Sequence, residues 1–245
     1  MPNFDLEKIK YGVDESTFQK AVSLYENGKV TKFNNNGYTY TATVLGTQQY
    51  RVIVSNRHYD EGNCECYLGQ NDTLCKHMVA VAIYAVAGGG KLKEEDKQQV
   101  TKPFSSRILG ELNKENLKIA KKEITHAISF IKYYQGPSRT WFAYQDSLTE
   151  GVNRLSTMIS KLPISKQTTG LIVQTLLRLD KKLQSGVDDS DGTVGGFIEE
   201  AVDVLIESAK VDSGCKKEFE KLRGRETCFG WEDSLLQLID GKVKK

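Results

Sequence analysis

The pattern Cys64-Glu65-Cys66, eight residues, then Cys75-Lys76-His77 constrains this chain more than any other feature. Three of the five cysteines and one of the three histidines fall within 14 residues. Thiolate and imidazole are the ligands zinc prefers, and four of them close a tetrahedral structural site. Residues two apart in a strand point to the same side, so Cys64 and Cys66 can grip one ion from an extended segment. Residues two apart in a helix diverge. Cys75 is therefore expected on the turn before a helix, with His77 in its first turn. The order becomes strand, knuckle, helix, pinned by one structural zinc ion. His58 is the competing ligand, but it lies six residues before Cys64, whereas His77 adjoins Cys75.

A redox pair is normally spaced C-x-x-C, and the spacing here is C-x-C. The cysteine count is odd, and three are committed to metal, which fits a reducing, intracellular, cytoplasmic setting better than a disulfide framework. Met1 to Lys10 carries Asp5 and Glu7 and has no apolar stretch, unlike a secretory signal. The longest apolar run, Met78 to Ala87, is too short to span a bilayer, so no membrane is expected.

The four ligands, with Phe18, Tyr25, Gly28 and Val30 upstream and the stretch Tyr40 to Val54, resemble the SWIM zinc finger, C-x-C followed by C-x-H. The resemblance covers about residues 12–90, with Phe18 to Val30 as opening helix and first strand and Tyr40 to Val54 as hairpin. It implies a zinc module that binds nucleic acid or other proteins. Relatives of this kind occur beside helicase-like ATPases and transposases and in recombination proteins, so a separate helicase-like ATPase is an implied partner.

The local patterns agree with this order. Asp14 and Ser16 are candidate N-caps for a helix bearing Phe18, Ala21, Val22 and Tyr25 on one face, and Gly28 ends it. Asn34 to Gly37 signals a turn. Tyr38, Tyr40, Ala42 and Val44 alternate with threonines, and Tyr50, Val52 and Val54 alternate again, which gives a small antiparallel sheet. The helix from His77 to Ala87 is apolar nearly all round, so it is expected to pack on the sheet with one face and on the rest of the protein with another.

Gly88 to Gly90 stops that helix, and Lys91 to Pro103 is polar. From Ile108 the period becomes helical: Leu117 to Ile131, Leu148 to Leu162, Ile172 to Leu183 and Phe197 to Ala209, with shorter helices near Phe219 and Leu235 to Ile239. The expected fold is an α+β zinc-binding module (small antiparallel sheet, zinc knuckle, helix) at residues 1–90. A linker at 91–103 and an all-α helical bundle or short solenoid at 104–245 complete it.

Other motifs carry less. The loop Asp188 to Gly192 fails the calcium-loop pattern: with Gly192 at position 6, Val187 and Ile198 occupy positions 1 and 12. It is expected to end one helix and cap the next. Cys215 and Cys228 read as ordinary buried thiols, and His126 as structural or exposed. No phosphate-cradling G-x-x-x-x-G-K-[ST] loop, G-x-S-x-G elbow or H-E-x-x-H helix is present. A zinc with four protein ligands leaves no open position for water. These points predict a non-catalytic protein.

Charge bears on what it binds. The chain's formal net charge is only +2. Residues 1–90 hold eight Lys or Arg against nine Asp or Glu, and three thiolates with one Zn2+ leave the loaded module near −2. Duplex affinity rests mainly on neutralised phosphates, so DNA or RNA binding is expected to be weak. Its candidate contacts are Lys29, Lys32, Arg51 and Arg57, with Tyr38, Tyr40 and Tyr50 as stacking rings or, at strand spacing, as core. The sequence thus predicts an adaptor that binds protein partners through the zinc module and the helical surface in a DNA-processing context. Direct nucleic-acid binding by the module is the alternative.

Overall fold

The computed structural model describes residues 1–241, apart from the side chains at positions 139 and 142. The chain divides into two compact units, Met1–Gln99 and Val100–Lys245.

The first unit opens with two helices, α1 (Leu6–Gly12) and α2 (Glu15–Glu26). Asp5 and Asp14 cap them by accepting from the backbone N–H of Lys8 and Thr17, which satisfies donors that a helix start leaves free. The strands β1 (Val30–Asn35), β2 (Thr39–Leu45), β3 (Gln49–Ser55) and β4 (Gly62–Cys64) form an antiparallel sheet in that order. Strand alternation sends Tyr40, Ala42, Val44, Val52 and Val54 to the buried face. The threonines of β2 lie on the other face with Arg51 and Ile53.

A short helix α3 (Tyr67–Gln70) follows β4, and α4 (Lys76–Ala87) closes the layer. All residues from His77 to Ile83 are buried. Within its own unit α4 is covered on several sides. There it packs on α2, α1 and the sheet. Residues 91–99 are also held to this unit. Leu92 joins its core. Glu26 accepts from Leu92 N–H and pairs with Lys97 at 2.9 Å. Gln99 donates to Val13 O, and α5 (Glu94–Lys97) lies in this stretch. Polar composition concealed these contacts, because the hydrogen bonds among them run between side chains and backbone.

The second unit is helical: α6 (Lys114–Phe130), α7 (Trp141–Lys161), α8 (Lys166–Gln184), α9 (Thr193–Val211) and α10 (Glu232–Asp240), with a 3-10 helix over Ser213–Leu222. Ile124, Leu148, Leu155, Leu176, Phe197 and Phe219 lie in one core. The helical period does not begin at Ile108 as the sequence suggested. Ile108 and Leu109 are exposed, and residues 101–112 run without regular structure along α7 and the start of α8. Ser160 Oγ accepts from Phe104 N–H, Ser106 donates to Leu162 O, and Gln167 accepts from Leu112 N–H. These bonds replace the helical ladder that this segment lacks. The Asp188 to Gly192 loop caps the following helix: Asp189 accepts from Val194 and Gly195 N–H at 2.7 and 2.8 Å.

Candidate metal centre

The site is assembled from a strand end and a helix start. Val52 pairs with Cys64 in register, so β3 fixes the first ligand on the buried face. Cys66 is the N-cap of α3, and its Sγ accepts from Gly69 N–H at 3.4 Å. Gly69 has to be glycine. A Cβ there would stand 2.4 Å from Cys64 O and 2.5 Å from Cys64 Cβ. Cys75 is the N-cap of α4, with extended backbone, and His77 is the second residue of that helix.

Cys64, Cys66, Cys75 and His77 are all buried, and their ligand atoms lie within 4.8 Å of one another. His77 Nδ1 is 3.7 Å from Cys64 Sγ and 3.9 Å from Cys75 Sγ. In tetrahedral zinc with Zn–S about 2.3 Å and Zn–N about 2.0 Å, ligand atoms stand about 3.5–3.8 Å apart. The donor set and its spacing therefore suit one zinc ion held by three sulfurs and Nδ1. That assignment leaves the proton of His77 on Nε2, a buried atom with no hydrogen-bond partner among the described residues. It is covered by the Tyr50 ring, whose centroid is 4.5 Å from that of the imidazole, and by Gly46.

The electrostatics suit a cation. The Cys75 thiol is pushed down to about 4, chiefly because the Cys64 thiol donates to it, with the His77 ring and Met78 N–H adding to the effect against burial. The start of α4 also favours negative charge. Cys64 moves up, as the donor of that bond and through burial. A buried thiolate without a bound cation is costly, and zinc in this pocket supplies the compensating charge. Four protein ligands leave no position for a substrate, which is the pattern of structural zinc.

His58 is exposed and outside the cluster. Lys29, Lys32, Arg51 and Arg57 are all exposed, but the structure does not gather all four. Lys29 lies opposite Leu45, and Arg51 opposite Thr43, near the same end of the sheet. Lys32 sits in the bulge of β1 with φ 51°, and Arg57 lies past the other end of β3. Glu65 accepts from Arg51 N–H, which puts a carboxylate beside that candidate cation. Among the tyrosines, Tyr40 is core, Tyr50 covers His77 and Tyr38 is 80% exposed. The sequence reading missed Gly69 and the capping role of Cys66. A glycine three residues after a ligand was the available signal.

The family model of the SWIM zinc finger matches residues 50–85, which take in most of β3, β4, the knuckle, all four ligands and most of α4. The chain thus contains a SWIM-type zinc finger. No curated protein and no solved structure matches the chain.

Proposed function

We propose that this chain is a non-catalytic adaptor that binds protein partners in a DNA-processing assembly, using the zinc module and the helical surface. The observation that carries this reading is the closed site: four buried protein ligands spend the metal on architecture. SWIM modules are interaction modules, and a loaded module near −2 favours protein over phosphate. The test is a pull-down with tagged full-length protein from native lysate, with and without nuclease. Recovery of the same protein partners after nuclease supports the adaptor. Partners that vanish with nuclease, together with tight DNA binding, overturn it.

Direct nucleic-acid binding is the second reading, and one observation favours it. Lys29 and Arg51 share the outer face of the sheet with Thr31 and Thr43. So few phosphate contacts give a shallow salt dependence, about −0.9 in log–log slope for each neutralised phosphate. Fluorescence anisotropy with single- and double-stranded DNA over a salt series distinguishes the two. Binding weaker than about 1 µM at physiological salt is expected under the adaptor reading.

A further inference from the structure

Charge in the helical unit is segregated. Residues 188–207 hold seven Asp or Glu and no Lys or Arg, whereas residues 114–187 hold twelve Lys or Arg and five Asp or Glu. The basic part borders a groove. Three cavities of about 320, 240 and 360 Å³ follow one another along the seam of α6 and α8. The first and second share Lys121, Leu171 and Gln174, and the second and third share Arg178, so the three are continuous. From Lys166 to Ser185, at about 1.5 Å rise per residue, the groove is about 28 Å long.

The cations stand in two groups. Lys121, Lys166 and Lys221 line the first cavity beside Glu111 and Glu218, and Arg178, Lys181 and Lys182 line the third, whose lining has no acid. Lys221 pairs with Glu218. Among the described residues no ion pair joins the other five to an acid. Lys182 donates to Ile131 O at 2.5 Å. Burial, then Arg178 and Lys132, push its pKa down. Among the described residues, like charges crowd at the third cavity with no acid in its lining. Beyond Lys121, the middle of the groove is lined by Ile124, Thr125, Leu171, Gln174 and Thr175, with no charge until Arg178.

This spacing decides the kind of ligand. A phosphodiester chain carries a charge on every residue and would lay phosphates over the uncharged middle. Single strands also use aromatic platforms, and among the described residues Tyr133 is the one aromatic lining the groove. A helix with acids at both ends and apolar residues between matches the two cation groups and the aliphatic floor. We propose that the α6–α8 groove docks an acidic amphipathic helix of a protein partner. The inference rests on the adaptor reading and names the chemistry of the partner.

The probe is a fluorescein-labelled helical peptide of about 18 residues, matched to the groove length, with Glu in its first and last turns and Leu at helical spacing between. It is titrated against zinc-loaded full-length protein by anisotropy. Saturable binding is expected, weakened about tenfold or more by Arg178→Glu with Lys181→Glu, by Lys121→Glu, and by a Glu→Gln peptide, with a loss of affinity at high salt. Arg178→Gln with Lys181→Gln serves if the charge reversals perturb folding, as circular dichroism would show. Glu199→Lys, on α9, should leave binding within about twofold. Absence of saturable binding, or indifference to the groove substitutions, overturns the proposal. So does (dT)20 binding that is lost in the same variants, which assigns the groove to nucleic acid. So does self-association that they abolish, which assigns it to a second copy. If the peptide fails while nuclease-resistant partners persist in pull-downs, the groove assignment falls and the adaptor stands. If wild-type protein retains no nuclease-resistant partner, the adaptor reading falls.

Discussion

The two units solve the same problem by different means. In the helical unit every long helix buries a stripe against another, and one continuous apolar core runs through them. The first unit also has a core, built by α1, α2, the sheet and α4. Its segment 62–77 contributes little to it beyond the ligands themselves. Three strand pairings, one capping thiol and four metal ligands hold that stretch. Where apolar residues are few, a metal substitutes for burial, and the substitution is local.

The comparison breaks most sharply if zinc is removed. Native mass spectrometry should show one zinc per chain, and Cys66→Ser should abolish it. Structural zinc contributes about 10–16 kcal/mol of apparent binding energy in isolated fingers. Part of that is held here as order in the knuckle. Hydrogen exchange should rise strongly over residues 62–77 and leave α6 to α9 unchanged. Protection that persists across the knuckle would show that the metal is dispensable.

The converse substitution tests the other unit. Leu155 is fully buried in the helical core. Leu155→Ala should cost about 2–5 kcal/mol, seen as an earlier transition in denaturant, with zinc content unaltered. A loss of zinc in this variant would mean that the units are not energetically separate.

Gly69→Ala probes the knuckle without touching a ligand. Its Cβ meets backbone, which cannot rotate away. A cost of about 1–3 kcal/mol is expected, together with weaker zinc retention in a chelator competition. Unchanged retention would show that the turn can shift freely.

Acidity provides a further test. Without metal, Cys75 is a thiolate above about 4, so at neutral pH it has no proton to release. Cys64 has its pKa raised and keeps its proton. It must lose that proton to bind zinc, so apparent affinity should rise with pH by up to about tenfold per unit for this one group. Chelator competition between pH 6 and 8 measures the slope. A flat profile would contradict the assignment of the proton.

The smallest effect concerns Phe229, which is 76% exposed and has φ 65°. This left-handed conformation costs a non-glycine residue about 1 kcal/mol. Phe229→Gly should therefore stabilise the helical unit slightly, by thermal melting, and leave the zinc module as it was.

The sequence was most legible where chemistry is periodic or rare. The ligands announce themselves by type and spacing, the strands by alternation from Tyr40 to Val54, and α7 by its stepped apolar residues. Asp14 as a cap and Gly28, at φ 64°, as a stop also follow from local rules. What escaped depends on partners distant in the chain. Helix α1 is only seven residues long, too short for a period to show. The irregular stretch before α6 is held by Ser160 and Gln167, which look like ordinary polar residues until the backbone they bond is in place. The need for glycine at position 69 appears only when Cys64 is beside it.

Strand β4 is three residues long and is the last strand on its side of the sheet. It covers β3, whose Gln49–Ser55 sequence QYRVIVS is rich in β-branched residues. An uncovered strand of that composition is a template for pairing with other chains. The C-terminal residue of β4 is itself a ligand, so the strand is tethered through the metal. During synthesis, β3 leaves the ribosome before Cys75 and His77, and its edge stays open until both arrive and an ion is found. If the metal is what holds β4 in place, a chain without zinc leaves that edge open, and metal starvation should show as aggregation.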